Sequence, residues 1–192
     1  MNWAMIVLVK NPKAMKKVQE EIRSYVGSKG KVEEPDLDNF LYLKMVVKET
    51  MRLHPIASFL LRETMKHSKI GCFDIYPKTW VLINTWVMGR NPEYWENPEE
   101  FLPERFKDSS IDFGGDQSFE YTPFGGGRRV CPAINMSIVF VEFVLANVLC
   151  TFNWELPEGL TSEDLNKEEF AGLGSRYPLE LVPIKHVVRK SI

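Results

Sequence analysis

The residues most able to do chemistry lie in one stretch, Phe124-Gly125-Gly126-Gly127-Arg128-Arg129-Val130-Cys131-Pro132-Ala133. A glycine-rich turn delivers a single cysteine to the start of an apolar run. A helix N-terminus offers unbonded N–H groups and the positive end of the helix dipole, and both stabilise a thiolate. Arg128 and Arg129 add positive charge beside it. Glycines let the backbone pass close to something flat and bulky. Pro132 stands where a helix can open without losing a needed hydrogen bond. The ordinary reading of a lone cysteine is a buried, inert side chain. That reading leaves the glycine triplet, both arginines and the upstream aromatic unexplained.

Other reactive groupings are sparse. Cys72, Cys131 and Cys150 form neither a C-x-x-C pair nor a zinc pattern, and an odd, low count suits a reducing compartment. His54, His67 and His186 are scattered, and there is no Ser-His-Asp motif or phosphate loop. Glu49 and Arg52 are three apart and share a helix face; alone, such a pair is usually solvated and weak. Lys10, Lys13, Lys16 and Lys17 read as a solvated face, or as part of a dock for an acidic partner. With 24 Lys and Arg against 26 Asp and Glu, the net charge of −2 argues against a nucleic-acid binder.

The elements that must position the cysteine follow from periodicity. The 192 residues suit one domain, and 44% hydrophobic with 12% aromatic residues is globular composition. The apolar start, Met1 to Val9, lacks a signal peptide's basic flank and cleavage site; it reads as a chain beginning in mid-element. Asn11-Pro12 opens a helix carried by Met15, Val18, Ile22 and Val26 and ended by Gly27 and Gly30. A second helix is predicted from about Asp36 to Leu53, stopped by His54 before Pro55. Residues 69–75 and 80–87 read as two strands around Pro77-Lys78-Thr79. Residues 91–106, studded with Pro92, Pro98 and Pro103, permit only short helices. Residues 107–130 form a long irregular segment of the kind that carries function. A buried helix is predicted from about Pro132 to Thr151, too short and too polar at Asn135, Glu142 and Asn147 to span a membrane. The tail after Trp154 is loop, with a strand pair ending near Leu179 to Ile184. The fold class is mainly α with small β-sheets.

Phe124, Gly127, Arg129 and Cys131 match F-x-x-G-x-R-x-C, the haem-thiolate signature of the cytochromes P450. By average residue usage, chance would produce that match in roughly one such chain in a few thousand. Lys48 to Pro55 resembles the family's E-x-x-R helix, and Pro103-Glu104-Arg105-Phe106 matches its Pro-Glu-Arg-Phe motif. The motifs stand in the family's order, and Arg-Arg before the cysteine with Pro after it is similar to plant microsomal members.

The resemblance implies that the chain is the C-terminal portion of the P450 fold, truncated, and that it binds haem b with Cys131 as the iron ligand. Phe124, Gly127, Arg129 and Ala133 would be cofactor contacts, and Arg62 and Arg129 would hold the propionates. Ala133 stands where the family usually has Gly. Glu49, Arg52 and Arg105 would form one structural ion network. Ile56, Ala57, Ser58, Phe59, Leu173 and Gly174 are the substrate-pocket candidates. From His54 to Arg62 the chain is one residue shorter than plant members and lacks a Pro before Arg62, so its register is open.

The implied activity is monooxygenation: one oxygen atom from O2 enters a small apolar organic substrate, with electrons from NADPH-cytochrome P450 reductase. The implied place is the cytosolic face of the endoplasmic reticulum membrane, through an amino-terminal anchor this chain lacks. The oxygen-activating helix would lie before Met1. The alternative is therefore a catalytically incomplete fragment that binds haem weakly or not at all. An O2-independent isomerase or dehydratase is the remaining reading; such relatives tend to alter the cysteine loop, which here is regular.

Overall fold

The computed structural model describes residues 1–113, 119–165 and 179–187. Four helices make the core. Helix α1 (Asn2–Lys10) is apolar all round and buried from Trp3 to Leu8, and the Trp3 ring stacks on His54 at 3.9 Å. Helix α2 (Pro12–Val26) presents Val18 and Ile22 to the core and ends at Gly27, whose φ is 50°. Asn11 precedes it, but its side-chain amide donates to the Val7 carbonyl at 2.7 Å instead of capping α2. It therefore satisfies the end of α1.

The second predicted helix is shorter than expected. Residues Glu34–Asn39 form a separate 3-10 turn, closed by Glu33 and Asp36, and α3 runs only from Leu41 to Leu53. Its first N–H groups are satisfied from another helix: the Glu21 carboxylate accepts from Tyr42 N–H at 2.7 Å and Leu43 N–H at 3.0 Å. No local pattern announces such a cap. The chain leaves α3 at His54, before Pro55.

The strand reading also needs correction. Residues 69–75 split into β2 (Ser68–Ile70) and β3 (Phe73–Ile75), an antiparallel hairpin around Gly71-Cys72. Gly71 takes φ 60°, which ends any single strand there. The partner of β4 (Trp80–Asn84) is β1 (Phe59–Glu63), with Leu61 opposite Leu82 and Arg62 opposite Val81. That pairing fixes how Phe59 to Glu63 lie against β4. Strand β4 stops at Asn84, whose side chain accepts from Val87 N–H and starts the short helix α4 (Thr85–Met88).

The Pro-studded stretch holds one 3-10 turn, Pro103–Phe106. Helix α5 (Ile134–Thr151) begins two residues after Pro132, with Ala133 as its cap. Arg23 of α2 donates to the carbonyls of Leu149, Cys150 and Phe152 and closes the other end of α5. Strand β5 (Phe152–Glu155) then pairs antiparallel with β6 (Val182–Lys185).

Helix α5 is long and apolar enough to cross a membrane by length and composition. Here Leu145, Ala146, Leu149 and Cys150 pack into the core, while Met136 and Phe140 are 72% and 63% exposed. The expected burial is therefore wrong for its first half.

Candidate functional site

The cysteine loop is closed by its own backbone. Cys131 N–H donates to the Phe124 carbonyl at 3.0 Å, Gly125 N–H to Thr122 at 3.0 Å and Val130 N–H to Gly127 at 3.1 Å. Gly125 and Gly127 stand at φ 76° and 64°, where a side chain would be strained. Phe124 packs edge-on against Phe113, centroids 5.7 Å apart. The Cys131 thiol is free and half-buried. It lies two residues before the cap of α5 rather than on the first turn, because the backbone spends those residues closing the loop. Cys150 is a different case: it is buried, and burial pushes its thiol up while Arg23 opposes the shift. Cys72 is exposed at the β2–β3 turn.

Strand β1 passes beside the glycine turn. A Cβ built on Gly125 would sit 3.6 Å from Arg62 Nη2 and 3.6 Å from the Leu60 side chain. Arg62 and Arg129 line one cleft of about 730 Å³ together with Arg128 and Leu61. Arg62 is half-buried, whereas Arg128 and Arg129 are exposed.

The pocket candidates are less united. Ile56 and Phe59 are exposed. Ser58 is buried, its carbonyl accepting from Thr85 N–H, and the Ala57 carbonyl accepts from the Thr85 hydroxyl. Leu173 and Gly174 lie outside the described residues.

Glu49, Arg52 and Arg105 come together in the interior. Arg52 Nε and Nη2 hold the Glu49 carboxylate at 2.7 and 2.9 Å, and Arg105 Nε reaches it at 2.9 Å. Glu49 and Arg52 are 0% and 1% exposed. Arg52 also donates to the carbonyls of Gly89, Pro98 and Glu100, and Glu49 accepts from Leu102 N–H. Arg105 adds the Glu96 carbonyl. The Arg52 guanidinium thus ties α3 to three points of the stretch from Gly89 to Glu100, and the Glu49 carboxylate adds Leu102.

The family model for Cytochrome P450 matches residues 1–181. The chain belongs to the cytochrome P450 family. It is 52% identical over 189 residues to cytochrome P450 71B20 of Arabidopsis thaliana, covering 96% of this chain and 38% of that protein. It is 50% identical over 190 residues to cytochrome P450 71A1 of Persea americana, with 97% and 38% covered. Cytochrome P450 726A27 of Euphorbia lathyris is 47% identical over 187 residues, with 96% and 37% covered. The chain thus spans well under half the length of these relatives.

Cytochromes P450 hold a haem whose iron takes a cysteine thiolate. The donor set beside the glycine turn suits such a group: a free thiol, and guanidiniums facing an open cleft.

Three contributors to this P450 architecture carry no local signal in the sequence. Gly89 has ordinary helical φ, yet a Cβ there would run into the Arg52 backbone carbonyl. Trp95 lies under both guanidiniums, 5.2 Å from Arg52 and 5.9 Å from Arg105. Tyr121 is fully buried and donates to the Lys48 carbonyl at 2.9 Å. Burial, with the Glu49 charge adding, holds its hydroxyl well above the ordinary tyrosine value. Among the lysines of the α2 region, Lys17 bonds Glu104 at 2.7 Å and Lys10 bonds the Leu165 carbonyl at 2.9 Å, so part of that face is structural.

Proposed function

We propose that the chain is the proximal, haem-holding portion of a plant-type P450 monooxygenase. The observation that supports the reading is the self-closed loop that carries the free Cys131 thiol two residues after Arg129, which lines a cleft with Arg62. Bound haem would supply the O2 activation that inserts one oxygen atom into a small apolar organic molecule, with electrons from NADPH-cytochrome P450 reductase. Cys131 would be the iron ligand, and its backbone bond to Phe124 holds the main chain that carries the thiol. Arg62 and Arg129 pair with the two carboxylates of the group. Phe124 covers the sulfur side, and Gly127 and Ala133 leave room for a flat ring. Glu49, Arg52 and Arg105 hold α3 against the Pro-rich stretch, so their role is structural. Ile56 to Phe59 lie on the approach to β1 and form the substrate side. The membrane location is that of a microsomal enzyme, on the cytosolic face of the endoplasmic reticulum.

The test joins this chain to the amino-terminal portion of a relative. Reduced, CO-treated wild type is expected to show the strongly red-shifted Soret band of thiolate ligation, and Cys131→Ala is expected to lose it. A variant that keeps the band overturns the assignment.

A second reading is favoured by the open apolar faces of β1, β4 and α5. In it, the 192-residue chain alone is catalytically incomplete and holds haem weakly. Haem titration followed by NADPH-dependent oxidation with a plant reductase separates the two. Stoichiometric haem with coupled product supports an enzyme in its own right; aggregated, haem-poor protein supports the incomplete chain.

A further inference from the structure

The cysteine loop is gripped from α3 at residues that lie outside the Phe124–Cys131 motif. Its first backbone bond, Gly125 N–H to the Thr122 carbonyl, closes one residue after Tyr121. Tyr121 is 1% exposed, and its hydroxyl donates to the Lys48 carbonyl at 2.9 Å. Phenylalanine would fill the same space, and a buried hydroxyl costs free energy unless it is bonded. The hydroxyl is therefore explained by the bond rather than by the packing. Lys48 holds the same region from its other end. Its ammonium donates to the Ile111 carbonyl at 2.8 Å and lies 5.5 Å from the Phe113 ring centre and 5.9 Å from that of Phe106. The Tyr121 ring is 5.3 Å from Phe106 and 5.8 Å from Phe113, and Phe113 meets Phe124 edge-on at 5.7 Å. The Phe124 carbonyl in turn accepts the Cys131 N–H. A continuous series of contacts thus runs from Lys48, next to Glu49 of the buried ion centre, to the backbone of Cys131.

We infer that Tyr121 and Lys48 are positioning residues for Cys131. The α3 backbone fixes the loop through the Tyr121 hydroxyl, and the Lys48 ammonium holds the rings against which Phe124 rests. Both act through Phe124 and the loop backbone, so losing either contact frees the thiol while the core stays folded. What they do for an iron ligand rests on the haem reading; their hold on the loop does not.

The free cysteines supply the test. Cys150, buried near the end of α5, reports global opening, and Cys131 reports the loop. The whole chain is pulsed with iodoacetamide under native conditions, and each cysteine is followed by site-resolved mass spectrometry. Tyr121→Phe is expected to raise the Cys131 rate about fivefold relative to Cys150, the factor that one ordinary hydrogen bond contributes. Lys48→Met is expected to raise the same ratio roughly threefold, in line with a cation–π contact at a half-buried site, and Lys48→Arg to restore it. An unmoved ratio, whether both rates rise together or neither does, overturns the positioning role of the residue changed, because packing alone explains it. If Tyr121→Phe shows no cooperative melt, Lys48→Met decides by the same ratio, and loss of the fold in both overturns the proposal. The two readings fail separately: the Soret band of the joined protein decides the ligand, and the alkylation ratio decides the grip on the loop.

Discussion

Arginine is used in two opposite ways in this chain. At the Glu49 centre, Arg52 is sealed from water and its donors are spread over one carboxylate and three carbonyls of the same chain. Beside Cys131, Arg128 and Arg129 are exposed and face an open cleft. The contrast is physical. A buried guanidinium must find its partners during folding, because desolvation without them costs several kcal/mol. An exposed guanidinium waits in water at little cost and remains available. The first centre is finished by this chain's own residues; the second stays open to solvent.

The largest effect should come from breaking the finished centre. Arg52→Ala leaves Glu49 buried with Arg105 as its remaining cation, a loss of about 3–5 kcal/mol against a whole-domain stability of ~5–15 kcal/mol. Circular dichroism is expected to show a lost or strongly lowered melting transition. Arg52→Lys should rescue it poorly, since an ammonium lacks the planar fork. An unperturbed melt for Arg52→Ala would remove the distinction between the two regions.

Two glycines sharpen the comparison. Gly89→Ala forces a methyl into the Arg52 carbonyl, and backbone there cannot turn aside; the expected loss is about 1–3 kcal/mol, read by denaturant titration. Gly125→Ala, at φ 76°, should cost about 1–2 kcal/mol through left-handed strain. Its signature differs, because the Cys131 loop would open. Haem retention should fall more than stability does, measured as haem per protein after gel filtration. If Gly89→Ala lost haem selectively while Gly125→Ala only lost stability, the two regions would have been assigned the wrong way round.

The smallest effect belongs to the open surface. Phe140, 63% exposed on α5, packs little. Phe140→Ser should change stability by less than about 0.5 kcal/mol while reducing self-association, seen by light scattering. A large destabilisation would show that the first half of α5 is packed after all.

Legibility followed sequence distance. The cysteine loop could be read because its glycines, arginines and cysteine fall within ten consecutive residues. Helix α2 was legible from Asn11 to Gly27 because its apolar residues recur every three or four positions. The pairing of β1 with β4 was not. A short apolar strand carries no address for its partner, and Gly71 hid a hairpin inside what looked like one strand.

By itself, the sequence determined the family motifs, the helices with strong period and the local turn at Cys131, since each depends on residues close along the chain. Tertiary structure alone decided the rest. Glu49 and Arg52 were visible as a pair three residues apart, but burial and the carbonyls of Gly89, Pro98 and Glu100 came from 37 to 48 positions away. Glu21 capping α3, Arg23 closing α5 and the Arg52 carbonyl excluding a side chain at Gly89 are likewise meetings of distant backbone and side chain. Such contacts are selected by how whole elements pack, and pattern along a single stretch cannot encode them.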